Sequence, residues 1–291
     1  MFQQGIGITL ITGVLWCGIG IVYSCAARKG KGFYLFLFLS ALFFALASWG
    51  GGVPRPASAG LVLAVAAIMI PAAAASQFGF LALGRAMRNG SHGVSWSIAQ
   101  SAMVCPFAAG MLFFGESASL LRITGMLLLL ASLVPLGRSQ HGGAGEGSNG
   151  RFPLPAFLAF GLIGLQQTLT LLPNRLPDVD EAALSWRIPL YSLCGLGWIF
   201  AVLKFREFGV RGILPLALLN GALAAAGQWT FFRSLDLLAD CGAAGLAYPL
   251  AVGSSVALFF LYSIWFRRER PGLSGVAGVL LAVLGMIFLA F

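Results

Sequence analysis

Residues 91–137 read SHGVSWSIAQSAMVCPFAAGMLFFGESASLLRITGMLLLLASLVPLG, and this stretch decides the fold because its pattern occurs twice. Residues 243–291 repeat the pattern as AAGLAYPLAVGSSVALFFLYSIWFRRERPGLSGVAGVLLAVLGMIFLAF. In both stretches an apolar run is followed by a short turn with one glutamate, and then by a second apolar run. This recurrence predicts an internal structural repeat.

The repeat preserves spacings as well as hydropathy. A glutamate stands nine residues before a glycine in both stretches, at Glu116 with Gly125 and at Glu269 with Gly278. Such long apolar repeats are typical of membrane transporters that hold a substrate site between two related halves.

The repeat continues upstream, where AAASQFGF at residues 73–80 matches AAAGQWTF at residues 224–231. Gln77 therefore has a counterpart in Gln228. Composition agrees with membrane insertion, since 59% of the residues are hydrophobic, 9% are charged and the mean hydropathy is +0.91. The chain is far more apolar than a typical soluble domain, so we expect an all-α integral membrane protein.

Ten segments are predicted to cross the bilayer. They cover about 5–26, 33–49, 60–83, 93–114, 120–136, 152–172, 188–203, 213–232, 243–266 and 273–291. The Gly-rich stretch 137–151 reads as a flexible linker between a first half, 1–136, and a second half, 152–291. Because each half has an odd number of spans, the second half is expected to be inverted relative to the first.

The basic residues predict an orientation. The chain has a net charge of +9, which would suggest a nucleic-acid partner in a soluble protein, but loop bias explains it better in a membrane protein. Loops one, three, five, seven and nine hold thirteen of the eighteen Lys and Arg. The positive-inside rule then places the linker in the cytoplasm and both termini outside a plasma membrane, the inner membrane in a bacterium.

The ten spans and the motif FFGESASLLRITGMLLLL, residues 113–130, resemble the drug/metabolite transporter superfamily. Trp16 in GVLWCGIG of the first span also fits that family. The resemblance implies a central cavity lined by spans one, three, four, six, eight and nine. The basic cluster after span one and the outside termini resemble the rhamnose and glucose uptake branches, while amino-acid and metabolite exporters fit the motifs equally well.

Polar residues inside apolar spans are expected to face the bundle interior, because exposing them to lipid is costly. In span four, four such residues fall within one arc of about 140° at 100° per residue. Gln77 and Gln100 should lie level in adjacent spans, and Gln228 with Tyr248 should lie at the mirrored depth. The candidate substrate-binding residues are Trp16, Gln77, Trp96, Ser97, Gln100, Ser101, Gln166, Gln167, Gln228 and Tyr248. Hydrogen bonds that merely hold the helices together explain the glutamines about as well.

The turn glutamates have a structural interpretation. The Glu116 and Glu269 carboxylates are expected to accept hydrogen bonds from exposed backbone N–H groups at a helix start. Pro106 and Pro249 could kink the fourth and ninth spans. No His, Cys, Asp and Glu cluster has metal-ligand spacing in the sequence, so neither a metal nor another cofactor is expected.

The sequence favours secondary transport over the other classes considered. Small multidrug exporters of the superfamily depend on a glutamate in the first span, which has no acidic residue here. We therefore expect a neutral or zwitterionic solute such as a sugar or nucleoside, moved by alternating access in a monomer or homodimer. An amino-acid or metabolite exporter and a non-transporting receptor remain alternatives, and an enzyme is not expected because no nucleophile–base pair is visible.

Overall fold

A computed structural model describes residues 2–28, 32–50, 54–114, 119–142, 154–176, 179–202, 212–239, 241, 247–270 and 272–290. All regular structure in these ranges is helical. The α-helices are α1 (Phe2–Ala27), α2 (Phe33–Gly50), α3 (Ala59–Asn89), α4 (His92–Gln100), α5 (Val104–Phe114), α6 (Leu120–Gly142), α7 (Leu154–Leu171), α8 (Glu181–Leu184), α9 (Arg187–Val202), α10 (Ile213–Ala239), α11 (Ala247–Trp265) and α12 (Leu273–Ala290).

Five helical segments of the described chain are long and apolar enough to cross a membrane. They are Phe2–Ala27, Ala59–Asn89, His92–Phe113, Leu154–Leu171 and Ala247–Trp265. Three shorter apolar helices cover Phe33–Trp49, Leu120–Leu136 and Leu273–Leu289. Large apolar side chains also cover the outside of the bundle, as at Leu63 and Leu273, which are 71% and 91% exposed. This pattern indicates a membrane-embedded protein, because a soluble chain would not leave such an extensive apolar surface in water.

Every predicted span contains a helix, but several helices run past the apolar segment. The prediction ended span three at Leu83, whereas α3 continues for six further residues to Asn89. The linker was predicted from Gly137, yet α6 continues to Gly142, and residues 143–151 lie outside the described ranges. Hydropathy marks where lipid contact ends, but backbone hydrogen bonding continues into the polar interface.

The fourth span is interrupted. Helix α4 ends at Gln100, a 3₁₀ turn occupies Ser101–Met103, and α5 begins at Val104. Pro106 lacks the N–H that would bond to the carbonyl of Ala102, so the helix is weakest at this turn. Pro249 is the third residue of α11, and residues 242–246 before this helix lie outside the described ranges, so the kink at Pro249 stays a prediction.

Helices from the two sides of the linker interleave. α1 packs against α10 and α11, while α3 packs against α7 and α9. α2 contacts α9 and α10, and α4 lies between α7 and α11. A single large apolar core includes residues from both sides of the linker. The predicted halves therefore share one core rather than forming separate globules.

A close helix crossing joins α6 and α12. A Cβ atom placed on Gly125 would lie 2.6 Å from the backbone nitrogen of Leu289. At the opposite end, a Cβ atom on Gly278 would lie 3.0 Å from the backbone nitrogen of Leu136. Small residues let helices approach closely in lipid, where packing rather than hydrophobic exclusion drives association.

Candidate functional site

A cavity of about 160 Å³ lies in the middle of the bundle. Side chains from α1, α2, α3, α4, α7, α9, α10 and α11 line it, while α6 and α12 contribute none of the described lining residues. The cavity therefore sits between helices from both sides of the linker. The α6–α12 pair stays at the periphery.

Most of the predicted site residues reach this cavity. Eight of the ten line its wall: Trp16, Gln77, Trp96, Gln100, Gln166, Gln167, Gln228 and Tyr248. They come from six helices, three on each side of the linker. Whether they contact a solute stays a prediction, but the structure brings them around one space.

Ser97 and Ser101 differ from expectation, because they do not line the cavity. Both are fully buried, and their hydroxyls donate to carbonyls four residues earlier, Ser97 to Gly93 and Ser101 to Ser97, at 2.9 Å each. All nine residues of α4 are buried, so burial on this helix does not identify a cavity face. The 3₁₀ turn from Ser101 also departs from the 100° rotation per residue on which the predicted arc depends.

An aromatic group forms one wall. The Trp16 indole lies 5.2 Å from the Phe231 ring centre, and the Phe231 and Tyr248 ring centres are 4.5 Å apart. A Cβ atom on Gly227 would lie 2.9 Å from Trp16 Nε1, so only glycine admits the indole in this position. These rings offer flat apolar faces against which a cyclic solute can stack.

The wall is uncharged and polar groups on it are left without partners. None of the described lining residues is acidic or basic. Four buried polar atoms of lining residues have no hydrogen-bond partner: Ser40 Oγ, Trp96 Nε1, Gln167 Oε1 and Asn220 Oδ1. Since buried polar groups are nearly always paired, these four atoms are unusual and retain unused hydrogen-bonding capacity next to the cavity. They comprise one obligate donor, two acceptors and one hydroxyl that can do both.

The sequence reasoning missed part of the wall. Tyr23, Ser40, Tyr191 and Asn220 line the cavity and were not singled out. Asn220 could have been predicted from the sequence, because a carboxamide within the apolar segment ILPLALLNGALAAAG must face protein or water. Tyr23 and Tyr191 could not have been predicted, because tyrosine is also common at membrane interfaces and its presence does not indicate a cavity.

Arg187 is a cation close to one end of the cavity, although it does not line it. Its guanidinium lies 4.4 Å from the ring centre of Phe232, which is a lining residue. Its Nε donates to the Leu184 carbonyl at 3.0 Å. The positive charge therefore lies against the Phe232 ring, just outside the cavity lining.

A polar group centred on Glu269 joins the two sides of the linker. Its Oε2 accepts from Ser91 Oγ at 2.7 Å and from the Gly93 backbone N–H at 3.1 Å, and its Oε1 accepts from the His92 N–H at 3.1 Å. Arg267 Nε lies 3.4 Å from the same Oε1. We call these five residues the Glu269 cluster.

The structural interpretation of Glu269 is thus confirmed, with one difference. The carboxylate caps α4, which comes much earlier in the chain, rather than the helix α12 that follows it. It satisfies N–H groups at the positive end of the α4 dipole. Glu116, its counterpart in the repeat, lies outside the described residues.

A second group joins the two sides of the linker at the other end of α3. Arg55 forms an ion pair with Glu181 at 2.6 Å, and its backbone N–H donates to Ser185 Oγ at 2.9 Å. Trp186 Nε1 donates to the Arg55 carbonyl at 3.0 Å. We call these four residues the Arg55 cluster. Because α3 spans 31 residues, the two clusters are separated by roughly 45 Å at 1.5 Å per residue.

Comparisons with known proteins bear on the fold. No family model and no curated protein matches the sequence. A solved structure described only as "Crystal structure of protein" is similar, with a TM-score of 0.62 at 12% identity. The match covers 99% of this chain and 96% of that chain. At so low an identity the likeness shows that the fold has been seen in a solved protein, and nothing about activity.

Proposed function

We propose that this protein is a secondary membrane transporter for a small, uncharged, polar solute with one ring, a sugar or related metabolite, and that it is not an enzyme. The observation that carries the proposal is the uncharged central cavity with four buried, unpartnered polar atoms. A rigid scaffold would not retain such atoms without benefit, because each costs about 1–3 kcal/mol when left unsatisfied. A solute with hydroxyl or amide groups would satisfy both the donors and the acceptors.

The absence of charge on the described wall and the volume of the cavity limit which solutes can bind. Moving an ion into a site without a countercharge is strongly unfavourable, so an uncharged wall favours an uncharged solute. The volume of 160 Å³ is close to the roughly 150 Å³ of an engineered protein cavity that binds benzene. One pyranose or heteroaromatic ring suits this volume, whereas a nucleoside would need the site to widen.

We propose in addition that the chain has ten spans arranged as two inverted halves of five. The helices of one half pack against helices of the other half in equivalent pairs, and this supports the architecture. α1 packs against α10 as α7 packs against α3, and α2 packs against α10 as α9 packs against α3. Those exchanges are what a pseudo-two-fold axis between the halves would produce.

In the α6–α12 crossing, single residues of the two halves also contact each other in equivalent pairs. Gly125 meets Leu289, and Gly278 meets Leu136. Gly125 and Gly278 are repeat counterparts, and each leucine follows its own glycine by eleven residues. The two contacts are therefore equivalent under the proposed symmetry.

The two polar clusters support a mechanism of alternating access. The Glu269 cluster and the Arg55 cluster each link residues from opposite sides of the linker, at opposite ends of α3. In this mechanism one cluster opens while the other stays closed, and the cavity is exposed to one side of the membrane at a time. Loop charge favours placing the Glu269 cluster on the cytoplasmic side of a plasma membrane.

The test is ligand screening followed by flux. Purified protein is screened for a rise in melting temperature against sugars, nucleosides and amino acids, since a ligand at one hundred times its Kd stabilises the folded state by about 2.7 kcal/mol. Each hit is then assayed for uptake into liposomes. We expect an uncharged ring compound to be transported, and transport to be lost in the Gln77→Leu/Gln228→Leu variant.

The matched control is Ser97→Ala/Ser101→Ala, because these serines belong to the predicted site but bond to their own helix. Flux that survives the glutamine variant would overturn the site, and ligand binding without flux would favour a receptor.

A zwitterionic solute is the second candidate, and Arg187 is the observation in its favour. If Phe232 rotates, the guanidinium behind it could meet a carboxylate. An amino-acid hit whose binding is lost in Arg187→Gln would support this exporter-like alternative. A sugar hit unaffected by Arg187→Gln would exclude it.

A further inference from the structure

A second concavity, of about 750 Å³, opens at the Glu269 end of the bundle. It lies where α1, α3 and α11 end and where α4 and α12 begin, with a contribution from the last turns of α6. Its cationic lining residues are Arg28, Arg88, Arg138, Arg267 and Arg270. Glu269 is the single carboxylate among the described lining residues.

The Glu269 carboxylate is already engaged. It accepts hydrogen bonds from the Ser91 hydroxyl and from two backbone N–H groups of α4. Arg267 pairs with it, and the two side chains are only 6% and 15% exposed. The guanidinium of Arg267 also lies 2.7 Å from His92 Nε2, which must accept because arginine has only donors. His92 is therefore neutral, and the Glu269–Arg267 pair contributes no net charge.

The remaining guanidiniums leave the concavity strongly positive. Arg28, Arg138 and Arg270 are exposed, and no ion pair joins any of them to a carboxylate within the described part of the chain. They come from the end of α1, the end of α6 and the turn before α12, so folding gathers them from positions distant in sequence. Loop bias explains why these positions are basic, but it does not explain their convergence on one concavity.

We propose that this concavity binds the phosphate group of an anionic ligand at the membrane surface. Guanidinium forks match phosphate oxygens with paired, charge-assisted hydrogen bonds. The hydroxyl of Ser274, another lining residue, adds a neutral donor. Basic pockets between membrane helices on the cytoplasmic side bind anionic lipid headgroups, and this one lies at helix ends where headgroups are found. The inference does not depend on transport.

The test compares charge-matched variants of the full-length protein. Delipidated protein in neutral detergent is titrated with phosphatidylglycerol, phosphatidylcholine or inorganic phosphate at constant ionic strength, and the melting temperature is recorded. The site variant is Arg28→Gln/Arg270→Gln. The control is Arg85→Gln/Arg268→Gln, which removes two exposed arginines that do not line the concavity.

We expect phosphatidylglycerol, but not phosphatidylcholine, to stabilise the unmodified protein and the control. Binding to the site variant should be roughly 25-fold weaker, since each interfacial arginine contributes about five-fold. Inorganic phosphate that reproduces the effect would identify a soluble phosphate ligand, and lipid dependence alone would identify the headgroup.

Two results would overturn the proposal. One is equal weakening in both variants, which would indicate diffuse surface charge. The other is equal retention of phosphatidylglycerol and phosphatidylcholine by the unmodified protein in native mass spectrometry. The second measurement needs no variant and stays decisive if the arginine substitutions impair folding.

Discussion

At the scale of single residues, substitutions of Asn220 and Gln167 can distinguish a role in ligand binding from a role in stability. Both residues line the cavity, and each has a buried amide oxygen without a partner. Replacing Asn220 with leucine removes a buried oxygen without a partner but also the side-chain hydrogen bond to Tyr23, so the melting temperature should change little. Affinity for the proposed solute should fall by about ten-fold or more if Asn220 bonds to it, because that hydrogen bond is lost.

Ser97→Ala is the control for this prediction, since its hydroxyl bonds within α4. A large loss of stability in Asn220→Leu would show that the amide holds helices together instead. Thermal shift and equilibrium binding on the same samples distinguish the two outcomes.

Individual residues also show how far the sequence led to the site. Gln77, Gln100, Gln166, Gln167 and Gln228 could be found because a carboxamide in an apolar span must face inward. Ser97 and Ser101 obeyed the same rule but satisfied it within their own helix, which small hydroxyls can do and glutamines cannot. Side-chain reach therefore decides which inward polar residues meet the cavity.

At the scale of the element, α4 depends on a carboxylate that is 176 residues distant from Gly93. Glu269→Ala would leave two α4 N–H groups unsatisfied and Arg267 buried without its partner. We predict a loss of about 3 kcal/mol in unfolding free energy and faster hydrogen exchange in the first turn of α4.

Glu181→Ala provides the comparison, because its ion pair with Arg55 is 85% exposed on the glutamate side. Exposed pairs contribute less than about 1 kcal/mol, so its effect should be small. Similar losses in the two variants would contradict the capping role of Glu269.

The α6–α12 crossing gives a second prediction for an element. In Gly125→Ala the new methyl group meets backbone at 2.6 Å, so the helices must separate, at a cost of about 1–3 kcal/mol. Gly7→Ala in α1 is the matched control, because a Cβ atom at this position has no neighbouring atom within 4 Å. That variant should be unchanged or slightly more stable, since alanine favours helix. Equal melting temperatures for the two variants would refute the close crossing.

At the scale of the whole molecule, the uncharged cavity predicts electroneutral transport. With no acidic or basic group among the described lining residues, carriage of an uncharged solute moves no net charge. Imposing a potassium diffusion potential across liposomes should leave the solute flux unchanged. Flux that follows the sign of the potential would indicate a coupled ion and a charged group outside the cavity wall described here.

The architecture was predictable in part. Hydropathy located the long apolar helices, because about twenty apolar residues leave few alternatives in a bilayer, but it did not locate the short helix α8. It did not locate helix ends such as Asn89 and Gly142, which depend on hydrogen bonding in the polar interface. Nor did it identify the cap on α4, because Glu269 lies in a distant turn and only the folded packing brings it to Ser91.

The contact between Gly125 and Leu289, together with that between Gly278 and Leu136, has an evolutionary consequence. One helical surface, with a glycine and a leucine eleven residues further on, mates with an antiparallel copy of itself. If the proposed halves arose by duplication, a protein with only one such helix could have formed this crossing as a homodimer. In the present chain, neither glycine can be replaced by a larger residue unless the helix opposite moves away.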